Sequence, residues 1–499
     1  MFLGIDLGTS AVKTLVIDER GAVVAGSSMP LARAAPQPRW SEQHPADWWA
    51  ATIAAVRSLP ESNRRALRGI GLAGQMHGAV LLDRAHTVLR PAILWNDSRA
   101  AAACVTFEQR EPRSRTLSGN LAMPGFTAPK LLWVAAHEPR VFEHVATVLL
   151  PKDWLRLKMT GECVSEPSDA SGTLWLDLAT RRWSDALLAA SGLTRDAMPR
   201  LAESGEVAGT LTRDAAQALD LAPGLPVAGG GSDNACGAAG IGVVDDGDAL
   251  LSLGTSGVIL VVDDRPRPDP ARAVHAFCHC LPGHWLRLAV MLSCTATLAA
   301  AVRLTGAANE AALIGDIERA TAPHPRRLVM LPYLDGERTP HNDAAACGVV
   351  FGVDAGTTRV DLGRAALEGV AFALADGLEA LEGGADARSG RPRIDSLAVI
   401  GGGSRSPWWG RILASALGRT LVYPLHGDTG PALGAARLAW VAVDGPGARS
   451  AFAKPPIART IEPDTVLAEA LGERRAIFRA LYRDLASRFA ASAGTGTHD

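Results

Sequence analysis

The tetrapeptide LGTS occurs twice, in IDLGTSAVKTLVID over 5–18 and in LSLGTSGVILVVD over 251–263. In both copies an apolar run of strand length enters a turn of small residues and a second apolar run leaves it, the pattern of a β-hairpin. A chain of 499 residues that rebuilds one hairpin about half its length later is constrained to a duplicated architecture. A second pair of words supports this. VAGGGS stands at 227–232 and VIGGGS at 399–404, each late in its half and each followed by a Gly-Ala-Ala segment, NACGAAGIG (234–242) and GPALGAARLA (430–439). Helices lined with Gly and Ala allow close approach of backbones, so these two segments are expected to cross where the halves meet and to form a hinge.

Inside each half, strands and helices alternate, which predicts an α/β fold with a largely parallel sheet. DERG (18–21) is a turn and AVVAG a third strand; Pro45 opens a helix through ADWWAATIAAVRSL, and GIGLAG (69–74) is a buried strand. Leu367, Val370, Phe372, Leu374, Leu378 and Leu381 fall mostly three or four apart and predict a helix over 364–381. Ser406, Pro407 and Gly418 mark the cap, first position and stop of another. The uncharged stretch 288–302 reads as one buried helix, too short to span a membrane. The boundary between halves falls near GVVDDGDA (242–249); RPRPDPA, GGADARSGRPR and the tail SAGTGTHD read as non-globular.

A net charge of −2 without a basic stripe argues against nucleic acid or an acidic membrane surface as a partner. The N-terminus MFLGID has neither a basic region nor a long apolar one, and seven cysteines is an odd count, so reduced thiols in a cytoplasm are expected. HAFCHC gathers His275, Cys278, His279 and Cys280, but no second Cys/His pair stands at a zinc spacing, and the two cysteines read as small buried residues.

The turns suggest chemistry. Gly8 removes a side chain, so that the amides of Thr9 and Ser10 can face an anion, with Lys13 adding charge. Gly254, Thr255 and Ser256 repeat the arrangement. Two phosphate grips across a cleft suit a nucleoside triphosphate. Asp6 ends an apolar strand, where a carboxylate needs a partner; beside phosphates that partner is a divalent cation such as Mg²⁺. One metal site serves one cleft, so the second copy can carry the neutral Ser252.

IDLGTSAVK, GQMHGAVLLD, GGGSDNACGAAGIG, LSLGTSG, LPYLDGERTPH and IGGGSRSPWW, in that order, resemble the FGGY carbohydrate kinases. WSEQHPADWW, LRPAILWND, GNLAMPGFTAPKLLW and LLPKDWLRLKMTGE are most similar to the branch of that family that acts on D-xylulose. The resemblance implies two duplicated actin-like ATPase (ribonuclease H-like) domains around a central cleft: an N-terminal FGGY domain over 1–243 on the sugar side, and a C-terminal one over 244–499 on the ATP side, ending in a helical segment. It implies conversion of D-xylulose to D-xylulose 5-phosphate with ATP and Mg²⁺. Asp233 then matches the general base and Asp6 the metal ligand. Met76, His77, Asp233 and Asn234 match the sugar contacts, and Thr9, Ser10, Lys13, Gly254, Thr255, Gly402 and Gly403 the ATP contacts. Trp95, Asn96, Asp97 and Arg99 form a polar-aromatic group of the kind sugars use. The expected partners are D-xylulose and MgATP, with no nucleic acid and no membrane; a homodimer is compatible with the chain. A kinase for ribulose, gluconate or a deoxy sugar is the alternative, followed by an actin-like ATPase with a binding role.

Overall fold

The computed structural model describes residues 1–320, 328–383, 393–425, 427, 429–445 and 447–494. The first LGTS turn joins β1 (Phe2–Leu7) to β2 (Ala11–Ile17), and β3 (Val23–Pro30) continues the meander. Helix α1 (Pro45–Arg57) is capped by the His44 side chain at the Ala46 amide. Strand β4 (Gly69–Gly74) is buried along its whole length and runs parallel to β1. Next come β5 (Val207–Thr210), β6 (Pro226–Ala228) and the short β7 (Gly231–Ser232), giving a sheet in the order β5-β6-β4-β1-β2-β3 with β7 also on β4. Helix α2 (Asp233–Gly240) leaves β7 at once.

The second half repeats the plan. β8 (Ala249–Leu253) and β9 (Gly257–Asp263) are the second hairpin, followed by β10 (His275–Cys278) and β11 (Trp285–Met291). After α3 (Thr295–Thr305) and α4 (Arg359–Leu381), β12 (Ser396–Ile400) lies parallel to β8 as β4 does to β1. Helix α5 (Pro407–Leu417), β13 (Thr420–Pro424), α6 (Pro431–Asp444), β14 (Ile457–Ile461) and α7 (Thr465–Gly494) complete the chain, and the sheet order is β10-β11-β9-β8-β12-β13-β14.

Four expectations change. The stretch 288–302 is not one helix: its first residues finish β11, and α3 begins only at Thr295, because the β9 ladder holds Gly257 through Asp263 opposite Met291 through Trp285. Helix α4 starts at Arg359, earlier than Arg364, because Thr358 and Asp361 close a capping box before the apolar periodicity begins. The two glycine words are not equivalent positions. VIGGGS follows β12, which touches the hairpin strand directly, whereas VAGGGS follows β6, one strand farther out. RPRPDPA is held down, with Arg267 paired to Asp263 at 3.4 Å and a 3₁₀ turn over Pro270–Arg272. GGADARSGRPR lies largely outside the described residues. The tail is helical as far as Gly494 and outside them afterwards.

The Gly/Ala helices do cross. A side chain at Gly434 of α6 would stand 1.9 Å from the Cys236 carbonyl oxygen of α2. The same helix, from the second half of the chain, lies on the first sheet: a Cβ at Gly4 would stand 1.9 Å from the Ala432 oxygen, and one at Gly71 1.9 Å from that of Ala435. These obstacles are backbone atoms and have no rotamer to turn away. Gly71→Val is expected to cost about 3 kcal/mol or more in chemical denaturation, the upper range for overpacking; an unchanged midpoint would show that α6 does not seat there. At the other end, α7 is tied to α4 by Arg474–Glu368 at 2.9 Å and Arg475–Asp376 at 2.6 Å.

Candidate active site

The two glycine turns differ in size. In the first, Leu7 faces Val12 and the Gly8 amide donates to the Ala11 carbonyl at 3.1 Å. In the second, Leu253 faces Gly257, and the Gly254 amide donates to the Ser256 carbonyl at 3.1 Å. Among the described residues the amides of Thr9 and Ser10, and of Thr255 and Ser256, have no hydrogen-bond partner, so both turns present bare donors. The Thr9 hydroxyl is already engaged: it donates to Gln75 Oε1 at 2.8 Å and accepts from Trp95 Nε1 at 2.9 Å. It braces the turn and leaves the amides to meet an anion. Ser10 and Thr255 are exposed, as is Lys13, which stands opposite Asp6 on the hairpin. Its counterpart opposite Ser252 is Val258, so the second copy lacks both charges.

Asp6 and Asp233 approach from strands that flank β4. Asp6 lies beside Ala73 of β4, while Ser232, directly before Asp233, lies beside Gly74 of the same strand. The Asp6 carboxyl is pushed up to about 7, first by burial and then by the Asp233 charge, with Lys13 opposing. Its Oδ1 is buried without a hydrogen-bond partner. An orphaned carboxylate oxygen beside a second carboxylate fits a divalent cation, which offsets both charges. Among the described residues no group of three or more His, Cys, Asp or Glu forms a complete cage, so such an ion would draw other ligands from phosphate and water.

Asp233 opens α2. Its Oδ1 accepts the Asn234 amide at 2.7 Å and the Asn234 side chain at 2.9 Å, leaving Oδ2 for other work. Burial raises its carboxyl to about 6 against the pull of those two bonds. A chain of contacts fixes the residue before it: the Ser232 amide donates to Ser168 Oγ at 2.9 Å, Ser168 Oγ donates to Glu166 Oε1 at 3.0 Å, and Glu166 pairs with Lys152 at 3.3 Å. Ser168 and Glu166 carried no sequence signal; Lys152 stands in LLPKDW but is wholly buried, a support rather than a contact.

A cavity of about 250 Å³ lies between the halves. Met76, His77, Trp95, Phe126, Asp233 and Asn234 line it from the first half, and Ser252, Gly254 and Ser256 from the second. His77 holds φ 68°, lines the cavity and packs its ring 4.5 Å from Phe126. Its Nδ1 lies 2.6 Å from the Gly172 carbonyl, which only accepts, so Nδ1 carries the proton and Nε2 offers a lone pair. Burial drives its pKa down to about 3, which keeps the ring neutral. Lys130 Nζ at 2.7 Å and Thr127 Oγ1 at 3.1 Å pin its carbonyl.

Other expected residues sit elsewhere. Asp6, Thr9, Ser10, Lys13, Thr255, Gly402 and Gly403 do not line this cavity. Gly402 faces open space, but a Cβ at Gly403 would meet Leu253 and Trp409, each at 2.8 Å, so its missing side chain serves packing. Trp95 lines the cavity, Asn96 is exposed, and Asp97 and Arg99 are scaffold: Asp97 accepts from the Ser41 amide at 2.6 Å and from Arg99 at 2.9 and 2.7 Å. In HAFCHC all four His and Cys side chains are buried.

Comparison with known proteins agrees with this geometry. The N-terminal domain model of the FGGY family of carbohydrate kinases matches residues 1–240 and the C-terminal domain model residues 249–443. A xylulose kinase of Escherichia coli (strain K12) is 48% identical over 487 residues, 97% of this chain and 99% of that protein. A xylulose kinase of Bacillus subtilis (strain 168) is 38% identical over 88% of this chain and 87% of its own length. The crystal structure of a xyloylose kinase from Brucella ovis superposes with a TM-score of 0.91 at 44% identity, covering 97% of this chain and 99% of that one. The duplicated sheets are thus the actin-like ATPase arrangement of sugar kinases, and the chain belongs to the FGGY family of carbohydrate kinases.

Proposed function

We propose that the protein transfers the γ-phosphoryl group of ATP to the 5-hydroxyl of D-xylulose, with Mg²⁺ as the divalent ion. The observation that carries this reading is one cavity lined by Asp233, His77 and Asn234 together with Gly254 and Ser256 of the second glycine turn. The full-length similarity to xylulose kinases supports the sugar.

MgATP supplies an electrophilic phosphoryl group with part of its charge already neutralised. The chain supplies position and a base. Asp233 Oδ2 takes the proton as the sugar O5–H bond breaks; the O5–P bond forms and the bond to the ADP oxygen breaks. A carboxyl raised to about 6 is ionised at neutral pH yet is a stronger base than an exposed aspartate. His77 Nε2 accepts a hydrogen bond from a sugar hydroxyl, and Met76 packs on its carbons. The free amides of the two turns receive phosphate oxygens, and Asp6 would hold the metal. Closure about the α2–α6 crossing excludes water, which competes for the phosphoryl group.

We place the reaction in the cytoplasm, since all seven cysteines are unpaired, which suits a reducing compartment. Among the described residues no helix is long and apolar enough to cross a membrane. A coupled ADP assay over pentuloses, pentitols and gluconate tests the reading. D-Xylulose is expected to give the highest kcat/KM, falling about tenfold per pH unit below about 6 as Asp233 protonates. A preference for another sugar would overturn the substrate, and a flat acid limb would overturn the base.

A further inference from the structure

The cavity is also lined by two further polar groups from the second half of the chain, His275 of β10 and Arg338 of LPYLDGERTPH. His275 is 4% exposed, with its ring 5.6 Å from Phe126 and 5.7 Å from Phe277. Asn120 determines its tautomer. The Asn120 Oδ1 accepts the Ala276 amide at 3.1 Å, while Nδ2 donates to the Ala276 and Ser118 carbonyls at 2.7 and 3.0 Å. That pattern fixes which end of the amide is oxygen. His275 Nδ1, 3.3 Å from this oxygen, therefore carries the proton. Its Nε2 is left as a lone pair, buried and without a partner. A buried acceptor with nothing to accept is costly unless a ligand satisfies it.

Arg338 is the complementary case. Its backbone is fixed, with the amide donating to Glu337 Oε1 at 2.7 Å. Its guanidinium makes no hydrogen bond or ion pair among the described residues. It lines the same cavity as His77 and His275, and its charge adds to the burial that holds both rings neutral.

The chemistry of the substrate meets these two groups. In a 2-ketopentose the 5-hydroxyl is the group that closes the furanose ring onto C2. A sugar with a free 5-hydroxyl is therefore the open chain, with its C2 carbonyl exposed. That carbonyl oxygen only accepts hydrogen bonds, and a guanidinium only donates them; the neighbouring 1-hydroxyl can donate to a bare imidazole nitrogen. We propose that Arg338 and His275 form a ketose-reading subsite, in which the guanidinium donates to the C2 carbonyl oxygen and His275 Nε2 accepts a hydrogen bond from the C1 hydroxyl. The inference rests on the reading above, that a 2-ketopentose is phosphorylated at O5. It makes sugar recognition a property of both halves, so the open-chain form is gripped only when they are together.

The test is a pair of substrate-by-variant cycles in the ADP assay. With wild type, D-xylulose is expected to exceed 1-deoxy-D-xylulose in kcat/KM by about 10-fold or more, the scale of one hydrogen bond to a buried acceptor. In His275→Phe, which keeps a ring and removes the acceptor, that ratio is expected to fall to about 1. Arg338→Met is expected to reduce the preference for D-xylulose over its C2-reduced pentitols by about 10- to 100-fold, since a charge-assisted bond is lost. Thermal melts check that each variant folds, and either cycle stands alone if the other variant does not. Equal losses on both substrates of a cycle, or no loss, would overturn the subsite. Wild-type turnover of D-xylulose separates that failure from failure of the underlying reading; without such turnover both fall.

Discussion

Asp233→Ala is expected to lower kcat by about 10³-fold or more while changing the KM for the sugar only a few-fold. General-base assistance is worth about 10²–10⁴ in rate, and the rest of the phosphoryl-transfer machinery is positional. The sugar keeps His77, Met76 and Asn234, which line the same cavity, so binding survives. Asp233→Asn is the sharper variant. It preserves volume and the acceptor toward the Asn234 N–H groups while removing the basic oxygen. A steady-state assay showing near-normal kcat in Asp233→Asn would remove the base from the mechanism.

Asp6→Asn is expected to reduce kcat/KM by about 10- to 100-fold and to raise the Mg²⁺ concentration needed for half-maximal rate, since a carboxylate ligand becomes a neutral one. It is also expected to stabilise the folded protein. The Asp6 carboxyl titrates at about 7 in the fold against 3.8 when free, so folding disfavours its ionised form. That cost grows as pH rises from 3.8 and is complete above about 7, where it is on the order of a few kcal/mol. Removing the charge recovers it, so Tm is expected to rise at pH 8 and to stay nearly unchanged at pH 4. Burial, not Asp6, raises the Asp233 carboxyl, and Asp6 is largely protonated where Asp233 titrates, so the acid limb of the pH profile is expected to stay near pH 6. A variant that gains Tm and loses activity cannot be explained by misfolding. Unchanged rates across a magnesium titration would refute the metal role.

Much of the site was legible before the structure because its signals are local. A glycine turn between apolar runs, a carboxylate ending an apolar strand, and Gly-Ala-Ala helices express their physics within a few residues. The paired words VAGGGS and VIGGGS misled because similar glycines solve one problem at two sheet positions. A Cβ at Gly230 would stand 2.1 Å from the Leu72 oxygen, and one at Gly401 2.7 Å from that of Leu253. WND illustrates the converse: Asp97 and Arg99 look like sugar ligands in one dimension and are spent on each other in three.

By itself the sequence determined the two hairpins, the buried strand GIGLAG, the caps at Ser406 and Gly418, and Asp6 as a carboxylate needing a partner, while the family resemblance singled out His77 and Asp233. Only the tertiary structure decided which partners they have. Ser168 reaches the Ser232 amide, the Gly172 carbonyl accepts from one nitrogen of His77, and Asn120 bares one nitrogen of His275, each across a long span of chain. A hydrogen bond carries no trace in the sequence between its ends. It becomes specific only when packing removes water and leaves each buried polar atom one neighbour to choose.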